Sequence, residues 1–399
     1  MHLLRVQVPN FRGLNQVDIT FEKDFFPRTF PLGSQNGGGK STLLQLIFTL
    51  LHCSASDERE IFLQNLLYRF NPNQSSGKTI LAIFDIWDGS QIHTIEFFSD
   101  KKIDAIIFKD YNEKLPSSIP SNTKGFLGLP DKKIGRLSDY LEGENLLFID
   151  LYSSTKNQSS EGKILLCKIE NLSSNEARIF LDKLSRKVFL ASHITQDFLF
   201  MSGEYRKLFS EKKDDSEKND CSNINSLKTK IPGFFTYDFL AIDLVNQLFI
   251  DARNKDRNAI KDGEDSNYHE TLLKQDINSI LINKKINFSP DLNQITFKLD
   301  KQGQEVDLYP EDLSRGELKR LSIYVWLKYN EIKDAIVLMD EIEITLHPDW
   351  QYIIISDLEK WEPSNQYILA THSYDLCEAL TPAHVKGIKL KLSCSASKV

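Results

Sequence analysis

An α/β fold, with a mixed sheet core, an antiparallel β lobe and a helical insertion, is predicted by three observations. A glycine-rich stretch, Ser34-Gln35-Asn36-Gly37-Gly38-Gly39-Lys40-Ser41-Thr42, runs directly into the apolar segment Leu43-Leu44-Gln45-Leu46-Ile47-Phe48. Two compact apolar runs far downstream, Ala335 to Met339 and Tyr367 to Ala370, have the length of buried strands and end in polar groups, Asp340-Glu341 and Thr371-His372-Ser373. Strand-like alternation and an Asp88-Gly89 turn mark the region between Lys78 and Phe98 as a β-hairpin.

The 399 residues suffice for two or three average domains, or for one large α/β domain with insertions. A composition 41% hydrophobic and 26% charged is that of a soluble globular chain. With a formal net charge of -7, any contact with nucleic acid has to come from a local basic patch. The five cysteines are scattered without a C-x-x-C pair, the pattern of reduced thiols rather than of a disulfide framework or a zinc site. No signal peptide is visible, and the longest apolar runs, such as Leu43 to Leu51, are too short to cross a bilayer. The expectation is a cytoplasmic protein without a membrane partner.

Taken in order, Leu3 to Val8 alternates as a strand, and Asn10-Phe11-Arg12-Gly13-Leu14 turns the chain into a second, Val17 to Phe21. Thr29 to Leu32 leads the backbone into the glycine stretch, and Thr42 to His52 reads as a buried helix. Ser54 to Arg59 and Ile61 to Phe70 continue as helix and connection, after which the hairpin begins. Ile103 to Phe108 reads as a further strand, Asn112 to Lys133 as a long loop and Leu146 to Leu151 as a strand. Helical spacing returns in Glu176 to Leu190 and Asp238 to Arg253, separated by a polar, mixed-charge stretch about 211–230 that is expected to be a mobile loop. No heptad is sustained, so the insertion is expected to be a compact helical lobe rather than a long arm. Gln294 to Leu299 and Glu305 to Leu308 read as strands. The expected divisions are 1–170, an N-terminal half with the glycine loop and the β lobe; 171–290, the helical insertion; and 291–399, a C-terminal half.

Three consecutive glycines let a backbone curl closely enough to aim several N–H groups at a phosphate chain, and a following helix adds its positive end. Asn36, Gly37, Gly38, Gly39 and Thr42 would line such a cradle. Lys40 would reach the β- and γ-phosphates, and the Ser41 hydroxyl would hold Mg²⁺. Ser34 stands where glycine is usual, which makes the loop atypical. A plain glycine-rich turn before a helix is the alternative.

Leu313-Ser314-Arg315-Gly316-Glu317 precedes the helical run Leu318 to Leu327, and its serine and glycine at a helix start form a second candidate anion site. Equally, Ser314 and Glu317 have the spacing of a capping box. Asp340 is placed to enter the Mg²⁺ shell beside Ser41, and Glu341 to polarise an attacking water as general base. The bland reading of this pair is an acidic strand end leading into a loop. His372 ends the next strand, where an imidazole can bond a γ-phosphate and sense its loss, although a lone histidine is more often structural.

Together, Asn10-Phe11-Arg12, the loop around Lys40, Leu313 to Glu317, Asp340-Glu341, Leu346-His347-Pro348 and Thr371-His372-Ser373 resemble the ABC-type ATPases of the SMC/RecF/OLD group. The resemblance covers residues 1–50 and 310–375 and implies a P-loop NTPase head of ABC type, using ATP and Mg²⁺. The run Glu343 to Pro348 is similar to OLD-like AAA proteins of prokaryotic defence systems, and the absence of a following acidic nuclease cluster is similar to the PtuA-like ATPases of Septu and retron systems. Those act with a separate HNH nuclease. In such proteins the signature serine completes the phosphate site of a partner chain, so the resemblance implies a homodimer or higher oligomer in which Ser314 and Gly316 face ATP held by a second Lys40. It also gives Arg12 a role in reaching back toward the phosphates. Its departures are Ser34, Arg315 where glycine is usual, and Ile342 where proline commonly follows the acids.

Two functions follow as expectations. One is an ATPase that dimerises around ATP and controls an effector, such as a nuclease, in anti-phage defence or DNA maintenance. The other is a scaffold whose ATP is mainly structural and which stores a nuclease. A transporter's ATPase subunit fits the large insertion and the Leu346-His347-Pro348 segment poorly. DNA is a further candidate partner, through Lys101-Lys102, Arg253 to Arg257, Lys284-Lys285 or Lys386 to Lys391, although such clusters are usually solvated faces.

Overall fold

The computed structural model describes residues 1–35, 37–67, 70, 77–101, 103, 140–153, 162–193, 231–237, 242–261, 268–288, 295–301 and 304–388. Among them, two six-stranded sheets and a three-stranded sheet organise the chain.

The first sheet is antiparallel throughout. It contains β1 (His2–Phe11), β2 (Leu14–Thr20), β4 (Lys78–Trp87), β5 (Ile92–Asp100), β6 (Leu146–Ser153) and β7 (Gly162–Ile169), in the order β2-β1-β4-β5-β7-β6. Alternation sends Val6 and Val8 of β1 into the core with Phe84 and Ile86 of β4, and register shifts between Leu3 and Arg5 and between Ile80 and Ala82 let Leu3 and Leu81 join the same core out of step. The β4–β5 hairpin is closed at Asp88, whose Oδ1 accepts the Ser90 and Gln91 N–H groups, with Gly89 at φ +111°.

The second sheet is parallel. Its strands are β3 (Thr29–Gly33), β8 (Val188–Ser192), β9 (Phe234–Thr236), β13 (Ile336–Asp340), β14 (Gln366–Ala370) and β15 (Lys386–Gly387), in the order β15-β3-β14-β13-β8-β9. Both faces are covered, which is why its strands read as unbroken apolar runs. On one side, Ile336, Leu338 and Ile368 pack with helix α1 (Lys40–Phe48) and the antiparallel sheet. On the other, Val337, Met339 and Leu369 join the core of the later helices. Those helices include α4 (Ile242–Lys261), α5 (Tyr268–Ile280), α6 (Arg315–Tyr329) and α7 (Pro348–Trp361), which follow α2 (Glu60–Leu67) and α3 (Ser174–Ser185) and precede α8 (Tyr374–Glu378). Gln366 joins the two large sheets: its Oε1 accepts the Leu3 N–H at 2.7 Å and its Nε2 donates to the Leu3 carbonyl at 2.8 Å.

The third sheet, β10 (Lys284–Phe288), β11 (Ile295–Lys301) and β12 (Gln304–Leu308), is an antiparallel meander.

The sequence reading differs from this arrangement in the middle of the chain. Glu176 to Leu190 reads as one helix, yet α3 ends at Ser185 and Val188-Phe189-Leu190 belongs to a core strand. A short apolar run buried on both faces carries no period that separates strand from helix. The stretch 171–290 is accordingly not purely helical: it supplies β8 and β9 to the parallel sheet, beside α4 and α5. Lys284-Lys285, read only as a basic cluster, opens β10. Of the strand expected at Ile103 to Phe108 only Ile103 is described, and it is helical; residues 104–108 and the loops expected at 112–133 and 211–230 lie outside the described residues.

Candidate functional site

Ligands of open α/β sheets meet the carboxyl ends of parallel strands. Here that edge brings together the glycine loop after β3, the Asp340-Glu341 end of β13 and the Thr371-His372 end of β14, with β14 lying between the other two. Gly37 and Gly39 adopt φ of +79° and +85°, a conformation that glycine reaches without strain. A Cβ on Gly38 would stand 2.1 Å from Ser34 Oγ, and one on Gly39 would stand 2.6 Å from Leu14 Cδ2. Ser34 therefore fits the loop only because Gly38 is opposite, and Leu14, at the start of β2, backs the loop from below.

Lys40 is the first residue of α1 and is buried. Its Nζ donates to the Ser34 carbonyl at 3.0 Å and to Ser34 Oγ at 3.3 Å, and lies 3.4 Å from His372 Nδ1. For Nδ1 to accept from an ammonium, the neutral ring carries its proton on Nε2. Burial pushes the Lys40 pKa below its ordinary value, opposed by the negative charges of Asp340, Glu343 and Glu341. Ser41 Oγ donates to Asp340 Oδ1 at 3.1 Å. Lys40-Ser41 thus converges with two segments far downstream, Asp340 at 299 residues from Ser41 and His372 at 332 residues from Lys40. Gly37, Gly38, Gly39 and Thr42 lie in the same loop and first helical turn, and Asn36 is outside the described residues.

Glu341 follows β13 in a left-handed conformation, φ +53°, with its N–H bonded to the Ala370 carbonyl at 2.9 Å. The turn after it is held by a residue that sequence reasoning passed over. Lys319, a buried lysine of α6, donates to the carbonyls of Glu341 at 3.1 Å and Ile344 at 3.0 Å, with its Nζ 4.2 Å from the Tyr237 ring centroid. Within an amphipathic helix such a lysine reads as solvated, and only the tertiary fold reveals its use. Glu343 was missed for a similar reason. It is buried and its Oε1 accepts the backbone N–H of His372 at 2.7 Å. Its sequence signals are a third acid two positions beyond Glu341 and its place at the head of the run Glu343 to Pro348, neither of which gives it a role.

Ser314 caps α6. Its hydroxyl donates to Glu317 Oε2 at 2.8 Å and accepts the Glu317 N–H at 3.3 Å, a complete capping box. Glu317 is buried and bridged by Lys284 Nζ at 2.8 and 2.9 Å. Ser314 and Arg315 are exposed, whereas Gly316 is buried under Trp350: a Cβ there would stand 2.5 Å from the indole. Arg12, at φ +52°, stacks its guanidinium over Phe11 and donates to the Leu66 carbonyl at 2.9 Å, at the end of α2.

Mg²⁺ fits the donor chemistry. A hydroxyl and a carboxylate in contact are hard oxygen ligands, and no cluster of three or more His, Cys, Asp or Glu side chains among the described residues could hold a metal alone. A Mg²⁺ site normally takes one or two carboxylates and completes its shell with water and substrate phosphates.

A phosphate-cradling loop whose lysine and serine meet a strand-end aspartate and a second-strand histidine defines a P-loop NTPase. The chain belongs to the family described as AAA domain, putative AbiEii toxin, Type IV TA system, whose match spans residues 176–378 and so takes in Ser314, Asp340, Glu341 and His372. Among curated proteins, it is 34% identical over 115 residues to the Retron Vc95 probable ATPase of Vibrio cholerae serotype O1 biovar El Tor, covering 26% of this chain and 21% of that one. It is also 44% identical over 55 residues to the Retron Ec83 probable ATPase of Escherichia coli, covering 14% and 10%. The matches thus span about a fifth and a tenth of the length of these relatives. Comparison with solved structures gives the SMC head domain from Thermotoga maritima, at 10% identity, 97% and 94% coverage of the two chains and a TM-score of 0.44. It also gives the SmcHead bound to the C-winged helix domain of ScpA, at 10% identity, 95% and 92% coverage and a TM-score of 0.43. Among the described residues no helix is long and apolar enough to cross a membrane.

Proposed function

We propose that this chain binds Mg-ATP at the carboxyl edge of its parallel sheet, hydrolyses it, and uses the cycle to control a separate effector protein. The observation that carries the proposal is the Ser41 Oγ–Asp340 Oδ1 contact of 3.1 Å beside the Lys40 Nζ–His372 Nδ1 contact of 3.4 Å. In this reading Asn36 to Thr42 cradle the phosphates and Lys40 offsets their charge. Ser41 and Asp340 hold Mg²⁺, which when bound neutralises phosphate charge. Glu341 takes a proton from the attacking water, and His372 contacts the terminal phosphate. Exposed Ser314 at a helix N-terminus supports a homodimer or higher oligomer in which the cap of one chain, with Gly316 beneath it, closes over the nucleotide of the other. Arg12 would adjust the first loop from its seat on α2. Relatives named as retron ATPases support a defence setting and an effector such as an HNH nuclease.

Direct DNA contact is less well supported. Lys284 is paired with Glu317, Arg253 with Glu270 and Lys386 with Glu22, so these basic clusters already serve internal ion pairs.

One observation favours the second reading, an ATP-stabilised scaffold that stores a nuclease: the Ser314 hydroxyl is engaged in its own capping box. Phosphate release at saturating Mg-ATP from wild type and Glu341→Gln separates the two. Hydrolysis predicts a slow wild-type rate that the substitution lowers by about a hundredfold or more, within the range assigned to a general base. Binding of ATP by both proteins with no phosphate released by either would leave the scaffold.

A further inference from the structure

Apart from the negative charge it places near Lys40, Glu343 has no assigned part in the phosphate site, yet it is only 8% exposed. One carboxylate oxygen accepts the His372 backbone N–H at 2.7 Å; the other, Oε2, is buried and finds no hydrogen-bond partner among the described residues. Burying a carboxylate costs several kcal/mol, on the order of what a good pairing returns. An apolar residue would therefore serve better if the position only filled space.

Nor is the side chain needed to form its own turn. The Ile344 N–H bonds the Glu341 carbonyl and the Leu346 N–H bonds the Glu343 carbonyl. Lys319 and Gln351 bind further carbonyls of the same turn from α6 and α7. What the Glu343 side chain does fix is the backbone of His372, the exposed residue whose Nδ1 lies 3.4 Å from Lys40 Nζ. A second tie, from the Glu341 N–H to the Ala370 carbonyl, joins the same two strand ends.

We propose that Glu343 is a positioning residue that sets His372 against Lys40 and thereby fixes how strongly the site prefers a nucleoside triphosphate over a diphosphate. The proposal rests on the nucleotide reading of this site. Only a triphosphate presents a terminal phosphoryl group to the imidazole, so a displaced His372 weakens binding of the triphosphate and leaves that of the diphosphate nearly unchanged. Because Glu343 acts through a hydrogen bond to a backbone N–H, a glutamine carbonyl can replace it, whereas an aspartate with one methylene less falls short.

The test compares the affinities of fluorescent ATP and ADP analogues, with Mg²⁺, for wild type, Glu343→Ala, Glu343→Asp, Glu343→Gln, His372→Ala and the double variant Glu343→Ala/His372→Ala. Thermal melting is followed alongside. The expected result is a triphosphate preference that falls about tenfold in Glu343→Ala and Glu343→Asp, while Glu343→Gln keeps most of it. The double variant should lose no more than His372→Ala alone, because the two residues act in series. If Glu343→Ala does not fold, Glu343→Asp carries the comparison. An unchanged preference in the folded variants overturns the proposal, as do independent, multiplying effects of Glu343 and His372. Failure of wild type to bind either analogue would overturn the nucleotide reading itself, a different outcome from binding with an unaltered ratio.

Discussion

Lys40 makes its contacts from inside a loop with almost no spare volume. Ser34 occupies the space in front of Gly38, so the two positions form a matched pair: a hydroxymethyl group on one side requires a bare α-carbon on the other. Gly38→Ala is expected to abolish nucleotide binding in a filter or fluorescence assay, since its Cβ would lie 2.1 Å from Ser34 Oγ. Adding Ser34→Gly should restore part of the affinity, with the Gln35 carbonyl, 3.0 Å from the same Cβ, limiting the recovery. The convergence of Lys40, Ser41, Asp340 and His372 was legible in the sequence because each sits in a short motif whose residue types leave few alternatives. Glu343 and Lys319 were not, since their meaning depends on partners 29 and 22 residues away. Arg12 shows the converse: the sequence singles it out, and in the structure its guanidinium bonds a helix-end carbonyl.

The element on which most of this depends is α6. Its first turn carries Ser314, exposed, and Gly316, pressed against Trp350; its second carries Lys319, which grips the turn after Glu341. A helix that presents one end outward and holds the acid-bearing turn from within mechanically connects the two. Lys319→Met keeps the aliphatic stem and leaves the carbonyls of Glu341 and Ile344 without their ammonium. It should lower the hydrolysis rate about tenfold, roughly 1.4 kcal/mol, with ATP affinity changed far less, as steady-state kinetics and binding would show. The same helix sets a pH response. Burial pushes the Glu317 pKa up, but Lys284, the Ser314 hydroxyl and the N–H groups of Ser314 and Ile282 together hold it below the ordinary carboxylate value. A depressed folded pKa stabilises above the unfolded pKa and ceases to do so as pH falls through the folded one. Glu317→Gln should therefore cost about 2 kcal/mol at neutral pH, and that penalty should shrink as acid denaturation curves move below the ordinary glutamate range. The capping box of α6 was visible as spacing alone; the Lys284 bridge was not, because Lys284 comes from β10, a strand hidden in a mixed-polarity stretch.

On the scale of the whole molecule, two large sheets share one core around α1, and Gln366 stitches β14 to β1 with two hydrogen bonds. Gln366→Leu would strand the N–H and carbonyl of Leu3 in the interior, so a loss of about 3 kcal/mol is expected, read as a lowered denaturant midpoint with unchanged slope. The fold class was readable because strand runs and loop motifs kept their periods at both ends of the chain. The middle was less so, where β8 and β9 enter the parallel sheet from a stretch dominated by helices. The order β15-β3-β14-β13-β8-β9 also bears on biosynthesis. β14 is the bridge between β3 and β13, yet it emerges from the ribosome more than three hundred residues after β3. Until it arrives, β3 has no neighbour on that side, and the lysine loop cannot meet its aspartate or its histidine. A nascent chain can complete its antiparallel sheet early, whereas on the proposed reading nucleotide binding would wait for residues 366–372. Competence for the nucleotide would then report that synthesis has passed that point.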